Sequence, residues 1–357
     1  MKRILSVLLI FSLLLAAVAI AEADEQISVV DGIGREFAFD QPIRTAVVYD
    51  RYNTEVFRAV GASGIMIGVD QDCIDTYPQY WDGVGDALKV VGQSCTDYNV
   101  ELIAQLQPDA VFMSSLGEYE SVTEQLAQFG IPVIIINAWI PDEYYDYIRL
   151  VGRVTGHEAQ GEAFIAFCEN MMQTVETRVA EIPEAERKTV YFENGGEYKT
   201  CLPGSGWHNM IVNAGGINIF GDITELDSSK GGTSSYLVDP EAILMADPDV
   251  IIDNVYSTQI HGALEMFVDL EEGELAGELE RFVDRPGWDQ LSAVQSGQVL
   301  GFTSFVGNAN SKLIAIAYIA KFLYPEIFQD LDPDACLSQW LNYMGFDPLE
   351  GHIARLR

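Results

Sequence analysis

Two stretches of the sequence, NVELIAQLQPDAVF (residues 99–112) and DPEAILMADPDVII (residues 239–252), decide the fold because they follow the same pattern. Each begins with an Asn or Asp suited to cap a helix, continues through a short helical segment and a Pro-Asp pair, and ends in a compact apolar run typical of a buried strand. The second copy also has Pro at the first helical position, which favours a helix start. The repetition predicts two similar lobes; a chance similarity between two helix–strand units is the alternative.

Strands and helices alternate on both sides of these stretches. The apolar runs that predict strands lie at residues 27–30, 36–39, 45–49, 64–69, 89–92, 110–113, 132–136, 189–192, 249–252 and 298–300. Helical segments separate most of these runs, and the alternation favours a largely parallel sheet in each half. We therefore predict an α/β protein with two Rossmann-like lobes and a ligand cleft between them.

The segment between the two halves, residues 142–179, follows a helical pattern with its clearest break at Gly156. Apolar residues recur there at three- and four-residue steps and form one apolar face: Phe164, Cys168, Met171, Met172 and Val175. We predict a long, rigid connecting helix; an ordinary core helix within one domain is the alternative. The predicted organisation is a signal segment at 1–23, an N-terminal lobe at 24–141, a connecting helical segment at 142–183, and a C-terminal lobe with C-terminal helices at 184–357.

The chain is strongly acidic, with 54 Asp and Glu against 20 Lys and Arg and a net charge of −34. A surface that binds nucleic acid needs clustered Lys and Arg, so we expect no nucleic-acid partner. The same charge favours solubility through mutual repulsion, and we expect a monomer.

The first residues have the features of a secretory signal. Lys2 and Arg3 precede an apolar run at 4–20, and Ala21-Glu22-Ala23 provides a small-x-small cleavage pattern. We expect an exported protein, either periplasmic or on the outer face of the cytoplasmic membrane. An uncleaved anchor is the alternative, because the shortest membrane-spanning helices have about 17 residues. No Cys directly follows the run, so anchoring through a lipid-modified N-terminal Cys is not expected.

Several motifs occur in a fixed order along the chain. They include VGA (60–62), IGV (67–69), NAGGINI (213–219), DPEAI (239–243) and PGWDQLSAVQSGQV (286–299). With these motifs, residues 31–346 resemble the periplasmic-binding-protein family for iron chelates, haem and cobalamin, whose lobes are joined by a rigid helix. The last motif is the most specific of the set.

The resemblance implies a solute-binding component of an ABC importer, which works with a permease and its ATPase and is not an enzyme. Its expected ligand is a metal chelate, either a ferric siderophore, haem or a corrinoid. Any iron or cobalt then belongs to the ligand, and no resident cofactor is expected. Family members dock on the permease through an acidic residue on each lobe; the matching positions are Glu120, beside Glu118, and Glu265.

The ligand-binding residues are expected just after the strands, because ligands bind beyond the carboxyl ends of parallel strands. These segments are rich in aromatic residues, which suit a flat and partly apolar ligand. Arg51 stands at a predicted helix start and favours an anionic group. The predicted ligand-binding residues are Tyr49, Arg51, Tyr52, Trp81, Trp207, His208 and Tyr256.

Histidine and cysteine patterns indicate no bare metal site. The four His are scattered, and the five Cys form no C-x-x-C pair. His208 is a candidate single axial ligand to haem or a corrinoid, and a hydrogen-bonded structural His is the alternative. Cys73 and Cys95 are the candidate disulfide pair; the odd count leaves at least one free thiol.

Two other functions remain open at this point. One is capture of an oxyanion such as molybdate through Arg51 and helix N-termini. The other is a surface enzyme of two-lobed α/β architecture, which would need Cys ligands at the lobe-facing strand ends. The sequence contains no Gly-x-Ser-x-Gly elbow, no His-Glu-x-x-His and no phosphate-binding Gly-Lys-Ser/Thr, so nothing in it supports catalysis.

Overall fold

The computed structural model describes residues 26–84, 87–255, 267–307 and 309–356. The predicted signal segment, Tyr256 and Glu265 lie outside these ranges. Within the described ranges, no helix combines the length and the apolar character needed to span a bilayer.

The N-terminal lobe contains a β-hairpin and a five-stranded parallel sheet. The hairpin is formed by β1 (Ile27–Val30) and β2 (Glu36–Phe39). The sheet has the order β5-β4-β3-β6-β7, with β3 (Ala46–Val48), β4 (Met66–Val69), β5 (Lys89–Val90), β6 (Ala110–Met113) and β7 (Val133–Ile135). The helices of this lobe are α1 (Arg51–Ala59), α2 (Gln71–Thr76), α3 (Val100–Leu106) and α4 (Tyr119–Ala127).

Two helices, α5 (Tyr144–Thr155) and α6 (Glu158–Val179), follow the first sheet. Gly156 ends α5 in the left-handed conformation, at φ 75°, so the predicted break is confirmed. Phe164, Cys168 and Val175 are buried on the predicted apolar face of α6. This face packs against α5 and the C-terminal lobe, and α6 therefore connects the two sheets.

The C-terminal lobe contains an eight-stranded mixed sheet of order β11-β12-β9-β8-β13-β14-β15, with β10 paired to β8. Its strands are β8 (Thr189–Asn194), β9 (Lys199–Thr200), β10 (Ile217–Asn218), β11 (Gly231–Gly232), β12 (Ser235–Leu237), β13 (Val250–Val255), β14 (Val299–Thr303) and β15 (Ile353–Arg355). The central strands β8, β13 and β14 are parallel, whereas β9, β11, β12 and β15 pair antiparallel. These short antiparallel strands were not predicted from the sequence.

Seven helices belong to the part of the chain described after the connector. They are α7 (Gly206–Asn213), α8 (Pro240–Ala246), α9 (Glu274–Val283), α10 (Ser292–Gln295), α11 (Ser304–Gly307), α12 (Lys312–Leu323) and α13 (Pro333–Met344). The last helix, α13, packs against both α12 and α1. Arg58 of α1 donates from Nη1 to the carbonyl of Met344 at 2.9 Å, so α13 joins the two lobes.

The two repeated sequence stretches adopt the same local structure. The side chain of Asn99 caps α3 by accepting from the Leu102 N–H, and Asp239 caps α8 in the same role. Both helices end at a non-glycine residue in the left-handed region, Gln107 at φ 50° and Asp247 at φ 41°.

Equivalent hydrogen bonds then tie each repeat to the first strand of its own sheet. Asp109 accepts the Thr45 N–H at 3.0 Å and donates its own N–H to the Thr45 hydroxyl. Asp249 accepts the Thr189 N–H at 2.7 Å and donates its own N–H to the Thr189 hydroxyl. The prediction of two lobes built from one submotif is therefore confirmed at the level of individual contacts.

The apolar core continues from one lobe to the other. One buried cluster runs from Val48 in the N-terminal lobe, through Phe164 of α6, to Leu341 of α13. Separate clusters cover the outer faces of the two sheets. Because close-packed interiors resist deformation, a shared core makes the connection between the lobes stiff.

The predicted disulfide is wrong. All five cysteines are free thiols in the structure. Cys73 is buried, and its Sγ donates to Oδ2 of Asp70 at 3.3 Å, while Cys95 is half-buried. Burial raises the pKa of the Cys73 thiol well above its usual range.

Candidate ligand-binding site

The start of α1 is held in a fixed position directly after β3. Asp50 has a positive φ of 78°, which is strained for a residue other than glycine. Its carboxylate caps α1 by accepting the Tyr52 N–H, and its own N–H donates to the buried carboxylate of Asp70. Burial raises the pKa of Asp50 to about 6. These bonds fix the direction in which α1 and Arg51 leave the sheet edge.

Arg51 presents an incompletely satisfied cation at this edge. Its guanidinium carbon lies 5.2 Å from the ring centroid of Tyr52, and both side chains are half-buried. The Nε of Arg51 is buried and has no hydrogen-bond partner among the described residues. A buried donor without a partner is costly, and an anionic ligand group can satisfy it.

Lys312, the first residue of α12, brings a second cation from the C-terminal lobe. Its Nζ lies 4.7 Å from the ring centroid of Trp207, which in turn stacks on Phe192 at 5.6 Å. Burial lowers the pKa of Lys312 to about 8, with the nearby carboxylate of Glu55 opposing and the charge of Arg51 reinforcing this effect. The two cations of opposite lobes are thus close enough to repel each other.

Glu55 lies near both of these cations. It is one turn after Arg51 on α1, is only 2% exposed, and accepts a hydrogen bond at 2.8 Å from the side-chain amide of Asn310. Burial raises the pKa of Glu55 to about 7, although Asn310, Arg51 and Lys312 all act to lower it. The hydrogen bond to Asn310 crosses from one lobe to the other.

A pocket of about 680 Å³ adjoins this charged cluster. The segment from the end of the first sheet to the start of α5 forms one wall, and α6 and the start of α12 form the others. The lining residues are Ala138, Pro141, Asp142, Tyr144, Tyr145, Glu169, Met172, Gln173, Glu176, Asn310, Lys312 and Leu313. Its volume falls within the range of small-molecule sites, which is about 300–1,000 Å³.

Three of the residues predicted from the sequence meet at or near this interface. Arg51 and Tyr52 lie at the edge of the N-terminal lobe, and Trp207 approaches them from the C-terminal lobe through Lys312. Glu55 and Lys312 were not predicted from the sequence. The spacing of four between Arg51 and Glu55 on a predicted helix was a usable indication for Glu55, because such residues share a helix face.

Three other predicted residues lie elsewhere. Tyr49 is fully buried and donates its hydroxyl to the Val91 carbonyl, so it has no surface to offer a ligand. Trp81 is half-buried, donates its indole N–H to the Cys73 carbonyl at 3.1 Å, and lines a groove with Arg58 and Met66. Burial argues against direct ligand contact by Tyr49, and a ligand-binding role for Trp81 stays a prediction.

His208 also lies away from the charged cluster. Its Nδ1 is 3.2 Å from the side-chain amide nitrogen of Asn218, and it lines a surface pocket with Ile217, the first residue of β10. Burial lowers the pKa of His208. The alternative of a hydrogen-bonded structural His fits this position better than an axial ligand does.

No group of three or more His, Cys, Asp or Glu side chains in the described part of the chain could hold a metal ion. Glu118 and Glu120 are exposed at the start of α4, where another protein can reach them. A docking role for Glu120 stays a prediction.

Two α/β lobes, a helical connector with a shared core, and a charged interface between the lobes define a two-lobed solute-binding protein. The profile of the family described as periplasmic binding protein matches residues 47–304. The chain belongs to this family. The family is a class of solute-binding proteins rather than enzymes, and proteins of this class bind small ligands and work with an ABC permease and ATPase.

Solved structures share the fold along nearly the whole chain. The TroA-like periplasmic binding protein FepB from Veillonella parvula has a TM-score of 0.73 and 23% identity, over 93% of this chain and 100% of its own. The molybdate-binding protein MolA from Haemophilus influenzae has a TM-score of 0.63 and 18% identity, over 90% and 98%. The vitamin B12 binding protein BtuF from Vibrio cholerae has a TM-score of 0.53 and 20% identity, over 80% and 98%. No curated protein matches the chain.

Proposed function

We propose that this protein captures a metal chelate outside the cytoplasmic membrane and delivers it to an ABC permease. The chelate belongs to the class of ferric siderophores, haem and corrinoids, and it carries an anionic group. The observation that carries the proposal is the approach of Arg51 and Lys312 from opposite lobes. The two cations repel each other, the Glu55 carboxylate offsets this repulsion in the empty protein, and an anionic ligand group can take over that role.

The aromatic rings beside the cations favour a chelate over a simple anion. Tyr52 stacks near Arg51, and Trp207 near Lys312. Trp139, which follows β7, adds an exposed indole at the same sheet edge. The half-buried Tyr52 and the exposed Trp139 can pack against a flat organic ligand while the two cations bind its carboxylates or catecholates. Trp207 is buried and contacts Lys312 instead.

A second candidate function is the capture of a small oxyanion. The unpaired Nε of Arg51 is the observation that favours it, because a tetrahedral oxyanion can accept that donor and the Lys312 ammonium together. MolA, which shares this fold, was solved with molybdate bound. Competition between the two ligand classes on the same protein distinguishes these functions.

The test is a binding titration, by calorimetry, with a ferric tris-catecholate, haemin, cyanocobalamin and molybdate. Replacing Arg51 or Lys312 by Gln should weaken binding of the preferred ligand by about 10- to 100-fold, the worth of one charged hydrogen bond. Arg44→Gln and Lys230→Gln are the matched controls, since both residues are exposed and stand apart from the interface. Unchanged affinity in both interface variants would contradict the proposal.

We also propose that Glu120 contacts the permease. Its exposed position in the first turn of α4 supports this role. Glu120→Arg should leave ligand affinity unchanged and abolish ligand-stimulated ATP hydrolysis in membranes that contain the permease. Glu124→Arg, one turn further along α4, is the control. Equal loss of ATP hydrolysis in both variants would show a general effect of acidic charge instead.

A further inference from the structure

We propose that Glu55 sets the charge selectivity of the cleft, acting as the counter-ion of Arg51 and Lys312 in the empty protein and taking up a proton when an anionic ligand group replaces it. The inference rests on the proposed function, since it needs an anionic group between the two cations. Glu55 is a positioning residue in this scheme, because it acts on the ligand through the two cations.

The first support is the location of the carboxylate. Glu55 is one turn from Arg51 on the same helix, and its bond to Asn310 places it two residues from Lys312 across the lobe interface. A buried carboxylate at this position stabilises the charged forms of both cations. Conversely, its negative charge opposes any ligand anion that approaches them.

The surroundings of Glu55 contain titratable or charged groups on every side. From α1 come Arg51 and Arg58, from residues 77–80 come Tyr77 and Tyr80, from α5 comes Tyr144, and from the start of α12 comes Lys312. Both Nη atoms of Arg58 already donate to backbone carbonyls, those of Tyr80 and Met344. Arg51 and Lys312 are therefore the cations whose interaction with Glu55 a ligand can change.

The same surroundings can hold the neutral carboxylic acid. The hydroxyls of Tyr80 and Tyr144 are buried without a hydrogen-bond partner among the described residues. Both lie near enough to Glu55 for its charge to raise the pKa of each phenol, in addition to the larger effect of burial. A protonated Glu55 gains an O–H donor. Neither hydroxyl is within hydrogen-bond distance of the carboxylate, so the Glu55 side chain must move to donate to one of them.

The sign of the coupling follows from linkage. The pKa of Glu55 in the empty protein is about 7, and an anion beside the carboxylate raises it further. Ligand affinity should therefore increase as the pH falls from alkaline values toward about 7 and become constant below that pH. Each tenfold gain in proton affinity on binding gives an equal tenfold gain in ligand affinity, because the coupling is reciprocal.

Lys312 also titrates near this range and must be separated from Glu55. The variant Lys312→Arg keeps a permanent cation beside Trp207 and so removes the titration of Lys312 from the measurement. The double variant Lys312→Arg/Glu55→Gln then replaces the carboxylate by a neutral side chain whose carbonyl can still accept from Asn310. Thermal melting of both variants checks that each one is folded.

The experiment is calorimetric binding of molybdate and of a hexadentate ferric tris-catecholate, between about pH 6.5 and 8.5, in buffers of different ionisation enthalpy. In Lys312→Arg we expect net proton uptake and about tenfold tighter binding at the lower pH. In the double variant we expect no proton uptake. Its affinity should not change with pH and should be close to the affinity of Lys312→Arg at the lower pH.

Two results would overturn the inference. One is equal proton uptake in the single and double variants, and the other is weaker binding by the double variant than by Lys312→Arg at every pH. Either result leaves the proposed function intact if wild-type protein binds a probe. If the wild-type protein binds no chelate and no oxyanion, the proposed function is wrong, and so is the inference that rests on it.

Discussion

Glu193 and Arg285 form a bidentate ion pair in the interior of the C-terminal lobe, with both nitrogen–oxygen distances at 2.8 Å. The guanidinium carbon of Arg285 also lies within 5 Å of three aromatic ring centroids, those of Tyr198, Phe282 and Trp288. Asp253, the strand partner of Glu193, is buried beside the pair, and burial raises its pKa well above the usual range. Arg285 is thus needed to offset the charge of Glu193.

Replacing Arg285 by Met should therefore lower the free energy of unfolding by about 3–5 kcal/mol, because a buried carboxylate loses its partner. Urea denaturation at neutral pH measures this change. Arg149→Met is the control, since Arg149 and its partner Glu162 are both largely exposed. The control should change stability by about 0–1 kcal/mol. Similar losses in the two variants would show that Glu193 does not depend on Arg285.

A site residue could be predicted from the sequence where its position after a strand was enough to place it at the edge of the sheet. Arg51 follows a strand and opens a helix, which places it at the sheet edge. Tyr49 also follows that strand, yet its side chain turns into the core to reach Val91. Lys312 begins α12, and nothing in the local pattern indicated that its side chain reaches the other lobe. Its partner Glu55 is distant in sequence, and their proximity depends on how the lobes pack.

The repeated Thr–Asp contacts, Thr45 with Asp109 and Thr189 with Asp249, are the clearest elements shared by the lobes. Thr→Val keeps the side-chain shape and removes the hydroxyl. We expect Thr45→Val to lose about 1 kcal/mol of unfolding free energy. Thr189→Val should lower the free energy of unfolding by more than Thr45→Val does, because the Thr189 hydroxyl also donates to the Asp249 carboxylate.

Thr174→Val provides the comparison, since the Thr174 hydroxyl is exposed and donates only to a carbonyl one turn earlier on α6. It should change stability by a few tenths of a kcal/mol at most, a typical surface effect. Denaturant unfolding of the three variants under one condition measures these changes in the free energy of unfolding. If Thr45→Val and Thr189→Val matched Thr174→Val, the shared contacts would contribute nothing to stability.

Among the elements, helices with sequence-coded ends were predicted best. The helices α3 and α8 follow the pattern expected from the sequence, because Asn99 caps α3 and Asp239 caps α8. Short antiparallel strands such as β9 and β11 were missed. They have two residues each, too few to show any alternation of polar and apolar positions, and they form through pairing with neighbours distant in sequence.

At the scale of the whole molecule, α6, α13 and the continuous apolar core all join the two lobes. We expect ligand binding to bend the hinge by only a few degrees. Small-angle scattering should give nearly the same radius of gyration with and without a saturating ligand. The matching experiment on a protein with a flexible hinge is the control. A sharp contraction on binding would contradict the rigid connection.

The contact of α13 with α1 affects how the chain reaches its native state. The N-terminal lobe includes Arg58, whose Nη1 is satisfied by the carbonyl of Met344, almost 300 residues later. That lobe is therefore incomplete while the remainder of the polypeptide is still being made. We therefore expect the two lobes to complete folding together, once α13 has packed against α1, and a chain truncated before residue 333 to leave part of the first lobe exposed.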